Sequence, residues 1–146
     1  MKKKEFRITI DAPREKVWNV IIGKDTYPVW TAVFAEGSTV ETDWKKGSKA
    51  LFLDGKGSGM VSEIAENIPF EYLSIRHLGE IINDKEDTDS EKVKEWAGAF
   101  ENYTLTEKDG KTEWLTEMDV TEEFEDYFDK TWPQAMEKAR ELAEKK

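Results

Sequence analysis

His77 is the one histidine of the sequence and the only side chain that titrates near neutrality by default. Acid–base chemistry there needs a partner within hydrogen-bond reach, with Glu63 and Tyr103 as the candidates on neighbouring strands. The blander reading is a half-buried strand residue with one hydrogen bond. If it faces a cavity, orienting a ligand carbonyl or hydroxyl suits it better than moving a proton. The sequence has no cysteine, which removes thiol nucleophiles, disulfides and thiolate metal sites. Ser38, Ser48, Ser58, Ser62, Ser74 and Ser90 all lie outside any G-x-S-x-G elbow. The run Gly55-Lys56-Gly57-Ser58-Gly59 has glycines but lacks the helix that must follow a phosphate-binding loop. Acidic residues number 32, yet no H-E-x-x-H, EF-hand loop or di-carboxylate helix pair is present. The reading is therefore no catalytic residue, no metal and no cofactor.

The stronger chemical signal is apolar area. The sequence carries six Trp, seven Phe, four Tyr and four Met. Near the C-terminus, Phe124, Tyr127, Phe128, Thr131, Trp132, Ala135, Met136, Ala139, Leu142 and Ala143 recur at three- and four-residue steps, the stripe of an amphipathic helix. Of these, Phe128, Trp132 and Met136 are expected to face a sheet. Strand alternation brings Phe52, Met60, Ile75, His77, Tyr103, Trp114 and Met118 to face back, with Trp30 and Phe34 between the layers. Such residues either interlock as a core or line a pocket for a planar apolar ligand, since aromatics offer area and Met adapts. A ligand covering roughly 200 Å² of apolar wall gains about 5 kcal/mol before ordering costs.

Elements must hold these residues in place. Phe6, Ile8 and Ile10 alternate with polar residues as a half-buried strand does. Pro13 suits the first turn of a helix carrying Val17, Trp18, Ile21 and Ile22, which Gly23 can end. Tyr27, Pro28, Trp30 and Phe34 read as a second short helix or turn. Strands are expected at 39–43, 50–53, 60–65 and 70–78, with Asp54-Gly55 as a hairpin signal. The stretch 83–94, almost wholly charged and without period, reads as an irregular loop, either a lid or a solvated excursion. A last hairpin pairs 97–106 with 112–120 around Lys108-Asp109-Gly110. Thr121 is the expected N-cap of the final helix. Glu122, Glu123, Glu125 and Asp126 at its start, and Lys145 and Lys146 at its end, suit the helix dipole. Pro133 should kink it.

The bulk numbers agree with one domain over 1–146. At 146 residues the chain can build a single core without disulfides or metal. Its formal net charge of -10 argues against nucleic acid and anionic membranes as partners. Lys2, Lys3 and Lys4 form the only basic cluster and read as a solvated end. No apolar run approaches the length of a membrane span or a signal-peptide core. The default expectation is a monomer in the cytoplasm.

Three stretches carry a resemblance. Ile10-Asp11-Ala12-Pro13, leading to Val17-Trp18, resembles the opening of START-like proteins, the SRPBCC superfamily. Trp30 is similar to the tryptophan that closes their second helix. Gly59-Met60-Val61-Ser62-Glu63-Ile64, then Pro69-Phe70-Glu71-Tyr72-Leu73, resembles their G-x-V-x-E-I…P…L strand pair. Trp132-Pro133-Gln134-Ala135-Met136 resembles the branch related to the activator of the heat-shock-protein-90 ATPase (AHSA-type), with Thr131 where a glycine is usual. The resemblance implies an α+β helix-grip fold, in which about seven antiparallel strands curve around a long C-terminal helix. Two short helices follow the first strand. It also implies a cavity for a lipid-, polyketide- or flavonoid-like molecule. The alternatives it carries are a co-chaperone-like contact with a chaperone, and a cyclase or hydrolase for which this chain's catalytic inventory is thin.

Overall fold

The computed structural model describes residues 1–145. Its first strand, β1 (Lys2–Ile10), leads into α1 (Arg14–Ile22) and the single-turn α2 (Tyr27–Trp30). Then come β2 (Thr39–Glu41), β3 (Lys49–Leu53), β4 (Gly59–Ile68), β5 (Tyr72–Ile82) and β6 (Lys85–Asp87). After these the chain forms α3 (Glu91–Lys94), β7 (Phe100–Lys108), β8 (Lys111–Val120) and α4 (Glu122–Glu144). The strands make one antiparallel sheet in the order β1-β8-β7-β5-β4-β3-β2, with β6 on β5. The sheet curves without closing and α4 lies in its hollow, as the helix-grip expectation has it.

The apolar pattern explains this arrangement. On β8, Thr112, Trp114, Thr116, Met118 and Val120 are all buried while the residues between them are not; one face of the strand meets the helices. On α4, Thr131, Trp132, Ala135, Met136, Ala139 and Ala143 are the buried positions. Alanines at four-residue spacing form a low ridge, and α4 packs on β1 and α1. Trp30, on α2, donates its indole N–H to the Ile21 carbonyl at 3.2 Å, which ties α2 to α1.

Several expectations are corrected. The stretch 83–94 is not an irregular loop: it holds β6 and α3. Asn83 and Asp84 both take positive φ, 52° and 63°, between the paired Ile82 and Lys85, as a two-residue type I′ hairpin requires. Gly79 lets β6 approach, since a Cβ there would stand 2.2 Å from the Asp87 carbonyl oxygen. Ser90 caps α3 by accepting from the Val93 N–H, and Val93 is fully buried. Phe70 is in a turn at φ 68°, so β5 begins two residues later than alternation suggested. Lys2 and Lys4 belong to β1 at its solvated end, and they pair with Glu125 at 2.9 and 3.2 Å, while Lys4 also reaches Asp129 at 3.1 Å. Thr121 occupies the N-cap position of α4 without a side-chain capping bond; its hydroxyl is enclosed and unpartnered. The carboxylates of the first turn oppose the helix dipole there instead. Pro133 lies within α4 without ending it. Lys145 is already outside the helix, and Lys146 lies outside the described residues.

Met136 is fully buried in the closely packed half of α4. Met136→Ala leaves a void that rigid neighbours close poorly, and is expected to cost about 2–5 kcal/mol of unfolding free energy, read from urea denaturation. A loss below about 1 kcal/mol would show that this half of the helix is not solidly packed.

Candidate functional site

The first half of α4 packs differently from the second. Phe124, Tyr127, Phe128 and Trp132 carry large rings where the second half has alanines. A pocket of about 440 Å³ opens there, between α2, the start of α4 and the concave face of β3, β4, β5, β7 and β8. Of the residues expected at the site, Trp30, Phe34, Phe52, Met60, His77, Tyr103, Met118, Phe128 and Trp132 line it. Ile75, Trp114 and Met136 do not: they are fully buried in the core that continues beneath the second half of α4. Tyr27, Trp96 and Phe124 also line it; Trp96 follows α3, within a stretch that shows no period.

A chain of hydrogen bonds crosses the pocket floor over three adjacent strands. On β4, Ser62 Oγ lies 2.7 Å from His77 Nδ1 on β5. His77 Nε2 lies 3.1 Å from Glu101 Oε1 on β7, and the Tyr103 hydroxyl donates to Glu101 Oε2. With Ser62 donating to Nδ1, the Nε2–H donates to Glu101, so both ring nitrogens of His77 are satisfied. A register shift between β4 and β5 sets Ser62 opposite His77. Glu101 and Tyr103, two residues apart on β7, share the concave face. Glu63, one of the partners expected for His77, instead pairs with Arg76 at 3.1 Å among more exposed groups. The reading from sequence missed Glu101, although its spacing from Tyr103 was the available signal.

The order Ser–His–Glu invites comparison with a nucleophilic relay, but Ser62 is wholly buried and does not line the pocket. A substrate in the pocket has no approach to its Oγ. His77 and Glu101 keep side-chain exposures of 13% and 16%, enough to present a polar edge. The floor therefore offers hydrogen bonding in an otherwise aromatic enclosure. Burial first, and then the negative charge of Glu101, raise the Tyr103 pKa well above the ordinary phenol value; the same two causes raise that of Tyr27. Among the described residues, no three His, Asp or Glu side chains gather in a way that could hold a metal ion, and no helix is long and apolar enough to cross a membrane.

The family model described as Activator of Hsp90 ATPase homolog 1-like protein matches residues 11–144. The chain belongs to that family. No curated protein sequence matches it. Solved structures similar to this AHSA1-type chain include the Aha1 dimer from Colwellia psychrerythraea, at TM-score 0.72 and 17% identity over 99% of this chain and 97% of that one. ChR145 from Cytophaga hutchinsonii aligns at TM-score 0.71 and 20% identity, over 99% and 94% of the two chains. CalU16 from Micromonospora echinospora aligns at TM-score 0.68 and 15% identity, over 97% and 74%. At such identities these likenesses establish the fold. The family match and the fold agree with the START-like resemblance read from the sequence.

The enclosed phenols of this AHSA1-type chain make its stability depend on alkaline pH. Tyrosines of the unfolded chain ionise near pH 10 while Tyr103 and Tyr27 stay protonated in the fold. Their contribution is intact below about pH 10 and is lost as pH rises beyond it, because the unfolded state alone releases the protons. Tyr103→Phe is expected to flatten the fall of the melting temperature above that pH, whatever it does to the level at neutrality. Parallel curves for the parent and the variant would contradict this.

Proposed function

We propose that this chain binds an apolar small molecule, lipid-, polyketide- or flavonoid-like, in the pocket beneath the first half of α4. The observation that carries the reading is the contrast between the two halves of that helix. The second half is packed solid with alanine and methionine, whereas the first holds large rings around about 440 Å³ of open space. That volume lies in the ordinary range for small-molecule sites, which are mostly apolar with a few placed polar groups. Trp30, Phe34, Phe52, Phe128 and Trp132 supply the apolar walls, and His77, Glu101 and Tyr103 the polar edge. The sealed Ser62 favours holding a ligand over transforming it. The family to which the chain belongs supports ligand binding at the coarse level, and the apolar ligand is this reading's addition.

The test is titration with a panel of flavonoids and fatty alcohols, followed by amide chemical shifts and tryptophan fluorescence. Saturable shifts are expected at 27–38, 99–103 and 118–128, with little change at 135–143. Phe128→Ala, which removes one wall, is expected to weaken binding by about tenfold. Shifts centred on the closely packed end of α4, or no saturable response across the panel, would overturn the reading.

A further inference from the structure

We propose that the pocket selects apolar molecules whose single polar head donates hydrogen bonds, an ammonium above all, and turns carboxylates away. This rests on the ligand-binding reading above and adds the polarity of the ligand's head to it. Four carboxylates line the pocket, those of Asp54, Glu80, Glu101 and Asp119, against Lys92 and Met1, whose amino group is cationic. Lys92 is exposed, so water screens its charge. Two of the carboxylates are engaged by backbone amides: Asp54 accepts from Lys56 at 2.7 Å and Ser58 at 3.1 Å, and Asp119 accepts from Phe100 at 2.9 Å.

Glu101 is placed differently. It lies on the floor of the pocket, and among the described residues its only partner in an ion-pair geometry is His77, with no lysine or arginine beside it. Its two oxygens accept from His77 and Tyr103, about half of what a carboxylate can take. The remaining lone pairs face an aromatic enclosure, where an unmet acceptor is costly and a charge-assisted bond is strong. Tyr27 adds to this: its half-buried ring forms part of the wall, and burial together with the negative charge of Glu101 raises its pKa. An ammonium head can donate to Glu101 and balance its charge. A carboxylate head would meet Glu101 as a like charge in a poorly screened site.

Three probes with one ring system and different heads separate the outcomes: naphthylethylamine, naphthylethanol and naphthylacetate, titrated calorimetrically at neutral pH. The amine is expected to bind tightest, the alcohol next, and the carboxylate at least about tenfold more weakly than the amine. In Glu101→Gln, which keeps shape and partial hydrogen bonding, the amine is expected to lose its advantage over both the alcohol and the carboxylate. Equal affinities for all three heads, or a carboxylate that binds as tightly as the amine, would overturn the selectivity while leaving ligand binding in place. Failure of all three probes to bind would remove this inference together with the reading on which it rests. The head-group comparison on the unaltered protein decides the matter even if the variant does not fold.

Discussion

Trp132 stands where α4 crosses the hollow of the sheet, and its indole is the contact on which the rest is organised. Its ring centroid lies 5.2 Å from Phe34, 6.0 Å from Trp30, 6.0 Å from Tyr103, 6.1 Å from Phe6 and 6.2 Å from Trp114. These partners come from β1, α2 and the segment after it, β7 and β8, so one side chain ties both edges of the helix layer to the sheet. Most of the contacts are edge-on or tilted, the geometry that aromatic quadrupoles favour. A smaller residue there would unclip α4 from the sheet and let the two halves of the helix adjust to each other. With the indole in place, the angle at which the helix leaves the core is set, and so is the gap beneath its first turns.

The two halves of α4 follow from that fulcrum. Toward the C-terminus, Ala135, Ala139 and Ala143 allow close approach and Met136 fills what remains. Toward the N-terminus, Phe124 and Tyr127 remain exposed in part, and Lys2 and Lys4 of β1 hold Glu125 and Asp129 from outside the gap. The hydrogen bonds from those lysines lower the Glu125 pKa. Exposed pairs of this kind contribute little to stability; they lie outside the pocket that Phe128 and Trp132 line.

The fold was legible because its longest elements have clean periods. The stripe of α4 and the alternation of β1 and β8 name their buried faces outright, and Ala12-Pro13 with Val17-Trp18 marks the entry to α1. The site was legible only in its apolar part. Rings on a concave face can be read from period, but whether a ring lines a gap or fills one depends on the residue across from it. Trp114 and Met136 have the same pattern as Phe52 and Phe128 and lie in solid core. Glu101 was hidden for another reason: a lone acid in a strand of alternating character reads as the solvent face. Its inward position depends on the register with Ile75 and on Tyr103 two residues on. The β6 hairpin was hidden because its turn is Asn83-Asp84 instead of a glycine pair, and because charged strand residues at an edge carry no apolar period.

A polar chain buried in an aromatic hollow needs a physical reason to persist. Ser62, His77, Glu101 and Tyr103 could all be replaced by apolar residues of similar size with little net loss of stability, since desolvation offsets most of what such networks gain. Their placement on three central strands, and not on loops, makes them rigid, and rigidity is what a group needs in order to orient a partner without a further ordering cost. Ser62 is sealed behind His77, so the part of the chain that faces the pocket is the carboxylate of Glu101 with His77 and Tyr103 on either side. An arrangement closed on the protein side and open on the pocket side is suited to holding one polar head in one orientation while the rings around it accept whatever apolar body follows.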